Sequence, residues 1–162
     1  MGLNANDFGA TTVARKSDTE VEVTRVFDAP PHLVYRAWTT PELFQRWWAP
    51  RSIGAPMRVR ELDVRVGGGY RIEFDGEDGQ IWAFFGKYIE VVPNARIVWT
   101  NEESDNGPIS TVTFEERDGK TLLTFRELHP SKEALDEGIG AAEGMPEQLA
   151  QLEELLAELA EG

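Results

Sequence analysis

The stretch STVTFEERDGKTLLTFREL, residues 110–128, alternates apolar and polar side chains on both sides of Asp118-Gly119. Val112 and Phe114 share one parity before that dipeptide, and Leu123 and Phe125 share one after it. Period-two alternation marks a strand with one face on a core, and Asp-Gly suits a tight hairpin because its residues tolerate positive φ. Two strands joined so closely are antiparallel neighbours, since a parallel pair needs a long crossover.

The same pattern extends upstream. Candidate strands are 59–66, 70–74, 81–92, 97–100, 110–116 and 121–128, linked by Asp75-Gly76-Glu77-Asp78-Gly79, Pro93-Asn94, Asp105-Asn106-Gly107-Pro108 and Asp118-Gly119. An antiparallel meander follows. Ahead of it, Val21, Val23 and Phe27 alternate with Glu20, Glu22 and Thr24, while Arg25 interrupts the apolar face. Ala29-Pro30-Pro31 ends that strand and opens a short helix through Val34, Ala37 and Trp38. Thr40-Pro41-Glu42 starts a second, through Leu43, Phe44, Trp47 and Trp48 to Ala49-Pro50. Downstream, Ser131 is a helix cap, and Leu149, Leu152, Leu155, Leu156 and Leu159 form an apolar helical stripe. Gly138, Gly140, Gly144 and Pro146 predict a kink or restart near Pro146.

The expected architecture is α+β, in the order strand, two short helices, antiparallel meander, long C-terminal helix packed in the curved sheet. Residues 1–18 read as a flexible polar tail, and 19–162 as one domain. A sheet curled around one helix leaves space that side chains do not fill, so a hydrophobic cavity is expected between them.

Composition removes whole classes of chemistry. The 162 residues contain no Cys, which excludes disulfides, thiolate nucleophiles and Cys-ligated metals. With only His32 and His129, both read as peripheral, no metal or other cofactor is expected. A net charge of −13 argues against nucleic acid as a partner. Residues 133–162 hold nine acids and no Lys or Arg, so they carry −9 and the rest of the chain −4. Those acids read as the solvated face of the last helix, or as a patch for a basic partner such as a chaperone. No basic leader and no apolar run of about 20 residues is present, so a cytoplasmic protein without a membrane partner is expected.

The functional signal is aromatic. Candidate ligand contacts are Trp47, Trp48, Tyr70, Ile72, Phe74, Trp82, Phe84, Tyr88, Trp99, Phe114 and Phe125, with Met145, Leu149 and Leu152 from the last helix. For any one ring, core packing is the plainer reading. Between Ile81 and Ile89 both parities are apolar; Trp82, Phe84 and Tyr88 are expected inward, which leaves Ile81, Ala83, Phe85 and Ile89 for a homodimer partner. Asp63 and Arg65 read as a structural ion pair or as polar anchors for a ligand headgroup. Gly67-Gly68-Gly69 lacks the Lys-Ser/Thr and helix of a phosphate loop, and is expected to serve a bulge or a close backbone approach. No catalytic constellation is visible, so a binding module is preferred to an enzyme.

The chain also resembles the SRPBCC (Bet v 1/START-like) superfamily, in particular homologues of the activator of heat-shock protein 90 ATPase. The resemblance runs from Val21 to Leu159 and rests on RVFDAP (25–30), VYRAWTTPEL (34–43), WWAP (47–50), DVRVGGGY (63–70) and GKYIEVVPNARIVWT (86–100). TVTFE (111–115), TLLT (121–124) and Gly144-Met145 ahead of Leu152, Leu155 and Leu156 complete it. Ala141 and Pro146 depart from the pattern. The resemblance implies a helix-grip fold that holds a small hydrophobic molecule between sheet and C-terminal helix. It leaves two alternatives: a cyclase- or hydrolase-type enzyme in the same cavity, as in polyketide-cyclising relatives, or a co-chaperone, as in the eukaryotic activators.

Overall fold

The computed structural model describes residues 11–161. Eight strands form one antiparallel sheet: β1 (Thr12–Arg15), β2 (Glu20–Phe27), β3 (Met57–Leu62), β4 (Gly69–Asp75), β5 (Ile81–Val92), β6 (Arg96–Thr100), β7 (Ile109–Arg117) and β8 (Lys120–Leu128). Their spatial order is β1-β2-β8-β7-β6-β5-β4-β3, so β3 through β8 form a meander and β2 closes on the last strand. Helices α1 (Pro31–Thr39) and α2 (Pro41–Trp47) fill the gap between β2 and β3. Helices α3 (Lys132–Glu143) and α4 (Met145–Glu161) follow β8 and complete the helix-grip arrangement around the curved sheet. Among the described residues no helix is long and apolar enough to cross a membrane.

Local chemistry explains most boundaries. At the β7–β8 turn Asp118 has φ 55° and Gly119 φ 82°, the pair of positive angles that a two-residue hairpin requires. Register shifts at Arg60 in β3 and Ile89 in β5 each insert one extra residue, which bends the strand and resets its alternation. Tyr88 and Val91 consequently both face the core although three positions separate them. The Ser131 hydroxyl accepts from the Ala134 N–H at 3.1 Å and caps α3.

Several expectations change here. Residues 12–15, read as tail, form β1 against β2; residues 1–10 of the expected tail lie outside the described residues. Strand β3 ends at Leu62, so 63–68 is a loop. There a Cβ on Gly68 would sit 2.1 Å from the Asp63 carbonyl oxygen, so the glycine run serves a close backbone approach. Arg25 does face inward: its guanidinium donates to Glu153 on α4 at 2.7 Å and lies over the Phe27 ring at 5.4 Å. Sequence alternation on β2 cannot reveal that partner, which comes from 128 residues away.

The helix break falls at Gly144, and α4 restarts with Pro146 in its first turn, where a missing N–H costs nothing. Leu149, Leu152, Leu155 and Leu156 are buried in the main core. The glutamates on its other faces do more than meet water. Glu147 binds the Ser52 N–H and hydroxyl, Glu153 binds Arg25, Glu154 binds Arg51, and Glu158 binds Arg46. The last two pairs are well exposed and contribute little to stability individually.

Candidate ligand cavity

A half-open cavity of about 810 Å³ lies between the sheet and the helices. Tyr70, Ile72 and Phe74 of β4, Trp82, Phe84 and Tyr88 of β5, Ile97 and Trp99 of β6 and Phe125 of β8 form the sheet wall. Trp38 of α1, Phe44 of α2 and Trp48 face them. The roof is made of small residues, Gly138, Gly140, Ala141 and Gly144, followed by Met145 and Gln148 in the first turn of α4. The space exists because α3 supplies almost no side chain there: a Cβ on Gly140 would meet nothing within 4 Å. The volume falls in the range of roughly 300–1,000 Å³ that suits a drug-sized ligand. At the mouth, Trp82 and Ile53 are 58% and 57% exposed and Phe84 43%, large apolar side chains left in water on the rim.

Two glutamines fix the helix side. Gln151, itself buried, donates to the Trp47 and Ala49 carbonyls at 2.9 Å each and accepts from the Arg51 N–H at 2.9 Å. Gln148 donates to the Trp48 carbonyl. These bonds satisfy backbone groups beyond the end of α2, where no helical partner exists. They thereby hold Trp48 at the cavity.

One end of the cavity is polar. Tyr70 donates its hydroxyl to the Thr100 carbonyl and Asn101 Oδ1, at 2.9 and 3.0 Å. Asn101 Nδ2 donates to the Pro108 carbonyl at 2.8 Å and to Ser110 Oγ at 2.9 Å. Ser110 in turn lies 3.4 Å from Glu127 Oε2, and His129 Nε2 is 3.7 Å from Glu127 Oε1. Neither ring nitrogen of His129 has a hydrogen-bond partner, nor does the buried Trp38 Nε1. Burial pushes the phenols of Tyr70 and Tyr88 well above the ordinary tyrosine range, and neighbouring carboxylates push the same way. Both therefore keep their O–H protons near neutral pH.

The model of the family described as "Activator of Hsp90 ATPase homolog 1-like protein" matches residues 28–157. The chain belongs to that family. Solved structures agree. A Rhodobacter sphaeroides protein is 26% identical with a TM-score of 0.82, over 92% of this chain and 99% of its own. A Mycobacterium smegmatis protein is 26% identical with a TM-score of 0.79, over 90% and 96%. A Chromobacterium violaceum protein is 32% identical with a TM-score of 0.73, over 86% and 98%. No curated protein matches the sequence.

In this member of the activator-homologue family, the fold brings Trp48, Tyr70, Ile72, Phe74, Trp82, Phe84, Tyr88, Trp99, Phe125 and Met145 to the cavity. It places the other candidates elsewhere. Trp47 is fully buried beside Trp38 and donates its indole N–H to the Ala37 carbonyl at 3.0 Å. Phe114 packs edge-on against Tyr35. Leu149 and Leu152 lie past the first turn of α4, where the helix closes on solid core and the cavity has ended. Asp63 and Arg65 stand on the loop after β3 and pair with each other at 2.8 Å, so they anchor nothing in the cavity.

The inward polar residues Asn101, Ser110, Glu127 and His129 escaped the sequence reading, which set His129 at the periphery. A signal was present: extending the Leu123–Phe125 parity by two and four residues puts Glu127 and His129 on the same face. Alternation alone does not carry an apolar face onto charged residues; the pairing of β8 with β2 and β7 does.

Proposed function

We propose that this protein is a cytoplasmic binding module that holds a small hydrophobic or aromatic molecule between its sheet and its helices. The observation that carries this reading is the aromatic cavity of about 810 Å³, opening through a rim of exposed Trp82, Phe84 and Ile53. Covering that rim with a ligand removes apolar surface from water, at roughly 25 cal/mol per Å². The alternative, a co-chaperone as in the family's description, would rest on the acidic face of the last helix rather than on the cavity. Turnover in the cavity would need Glu127 and His129 as the acid–base pair.

Thermal shifts and native mass spectrometry across a panel of lipids, polyketides and aromatic molecules test the reading. A ligand at a hundredfold its Kd adds about 2.7 kcal/mol, which raises the melting temperature of a domain this size by roughly 5–10 °C. Panel members that neither shift melting nor ride with the protein into the gas phase would overturn it.

A further inference from the structure

Resting on that binding reading, we infer that the polar end of the cavity receives a protonated amine carried on an apolar or aromatic body, seated on the Glu127 carboxylate. The hydrogen-bond inventory leads there. Tyr70 is engaged with Thr100 and Asn101, and both N–H groups of the Asn101 amide have acceptors. Ser110 accepts from Asn101, and the partner left for its own proton is Glu127 Oε2 at 3.4 Å. A chain of donors thus ends on a carboxylate that gets one long bond for its two oxygens. Ionised carboxylates accept several short, charge-assisted bonds when buried, and a primary ammonium brings three N–H donors in one group.

A second observation is the neighbouring imidazole, whose Nε2 lies 3.7 Å from Glu127 Oε1, beyond hydrogen-bond distance. The His129 side chain is 2% exposed, stands in the cavity wall and has no hydrogen bond at either ring nitrogen. In its neutral form one of those nitrogens is an acceptor, ready for a further N–H of the same ammonium. Gly138 leaves room for the imidazole, because a Cβ there would stand 2.9 Å from His129 Cε1.

The rest of the wall has the matching charge. Among the described residues, the carboxylates lining the cavity are Asp75, Glu77, Glu103 and Glu127, and no Lys or Arg lines it. Asp75 is already paired with Arg58 at 2.8 Å, and Glu103 accepts the Phe85 N–H at 3.0 Å. Glu127 is the deep one without a Lys or Arg partner, its nearest basic neighbour being His129 at 3.7 Å. A ligand carboxylate would meet like charge where screening is weak, whereas an ammonium meets opposite charge and aromatic faces.

Calorimetric titration of the whole chain near neutral pH with naphthylmethylamine, naphthylmethanol and naphthoate tests the inference. The amine should bind at least about tenfold tighter than the alcohol, the margin of a charge-assisted bond over a neutral one, with the carboxylate weakest. Glu127→Gln should remove the amine's advantage, while Asp63→Asn, the same change in net charge on the outer loop, should keep it. An amine no tighter than the alcohol in the unsubstituted protein overturns the inference, even if Glu127→Gln fails to fold. So does an advantage that survives Glu127→Gln or disappears in Asp63→Asn. If the alcohol binds without an amine preference, the cavity reading stands alone; if none of the three binds, the amine inference falls and the ligand panel decides the cavity reading.

Discussion

Gln151→Met tests whether α4 sets the wall of the cavity by clamping the chain beyond α2. The side chain is buried and makes three hydrogen bonds to backbone groups of Trp47, Ala49 and Arg51, each at 2.9 Å. Methionine keeps the volume and flexibility but can neither donate to the carbonyls nor accept strongly from the N–H. At about 1 kcal/mol per bond, with a somewhat larger cost for the buried Trp47 carbonyl left without a donor, the loss is about 3 kcal/mol. For a chain of this length that lowers the melting temperature by roughly 6–12 °C. Urea unfolding followed by tryptophan fluorescence should show a lower midpoint with an unchanged slope, because the surface exposed on unfolding is the same. A change smaller than about 1 kcal/mol would refute the clamp, since water would then be serving those groups as well as the glutamine does.

Gly140→Ala should stabilise the protein by about 0.5–1 kcal/mol, because a Cβ there meets open space and alanine is the better helix former. Gly140→Leu should fold as well but abolish binding of any cavity ligand, checked by the same melting and titration assays. Gly86→Ala has the opposite sign: its Cβ would lie 2.0 Å from the Thr100 carbonyl oxygen, so β5 and β6 must part, costing about 3 kcal/mol by urea midpoint. Arginines and Lys132 hold Glu73, Asp75, Asp136 and Glu154 below the ordinary carboxylate range. Their contribution is therefore present above about pH 5 and lost as pH falls through the depressed folded values. Glu73→Gln should flatten the acid limb of stability against pH. Tyr70 and Tyr88 are shifted upward, so stability falls as pH rises above about 10, and their phenolate absorbance should appear only with unfolding.

Much of the fold is local chemistry. The Asp118-Gly119 turn, the alternation of Val112 and Phe114 against Leu123 and Phe125, the prolines that open α1 and α2, and the leucine stripe of α4 can all be read without coordinates. Each depends on neighbours within a few residues. The bulges at Arg60 and Ile89 were not legible, because a single extra residue is visible only against a partner strand. The aromatic wall was partly legible, since Tyr70, Ile72 and Phe74 share a parity. Where the wall stops was not: Leu149 and Leu152 belong to the same stripe as Met145, yet solid core begins within one turn.

The amino-acid sequence by itself determined a curved antiparallel meander gripped by a helix, the family, and the absence of cysteine chemistry. Only the tertiary structure decided that the acidic helix is tied down by Arg25, Arg46, Arg51 and Ser52, and that Glu127 and His129 share the cavity wall with Trp48 and Tyr70. The physical reason is distance along the chain. Periodicity reports which face of an element is apolar, but a buried charge is stable only beside particular partners, and here those partners come from other strands and helices.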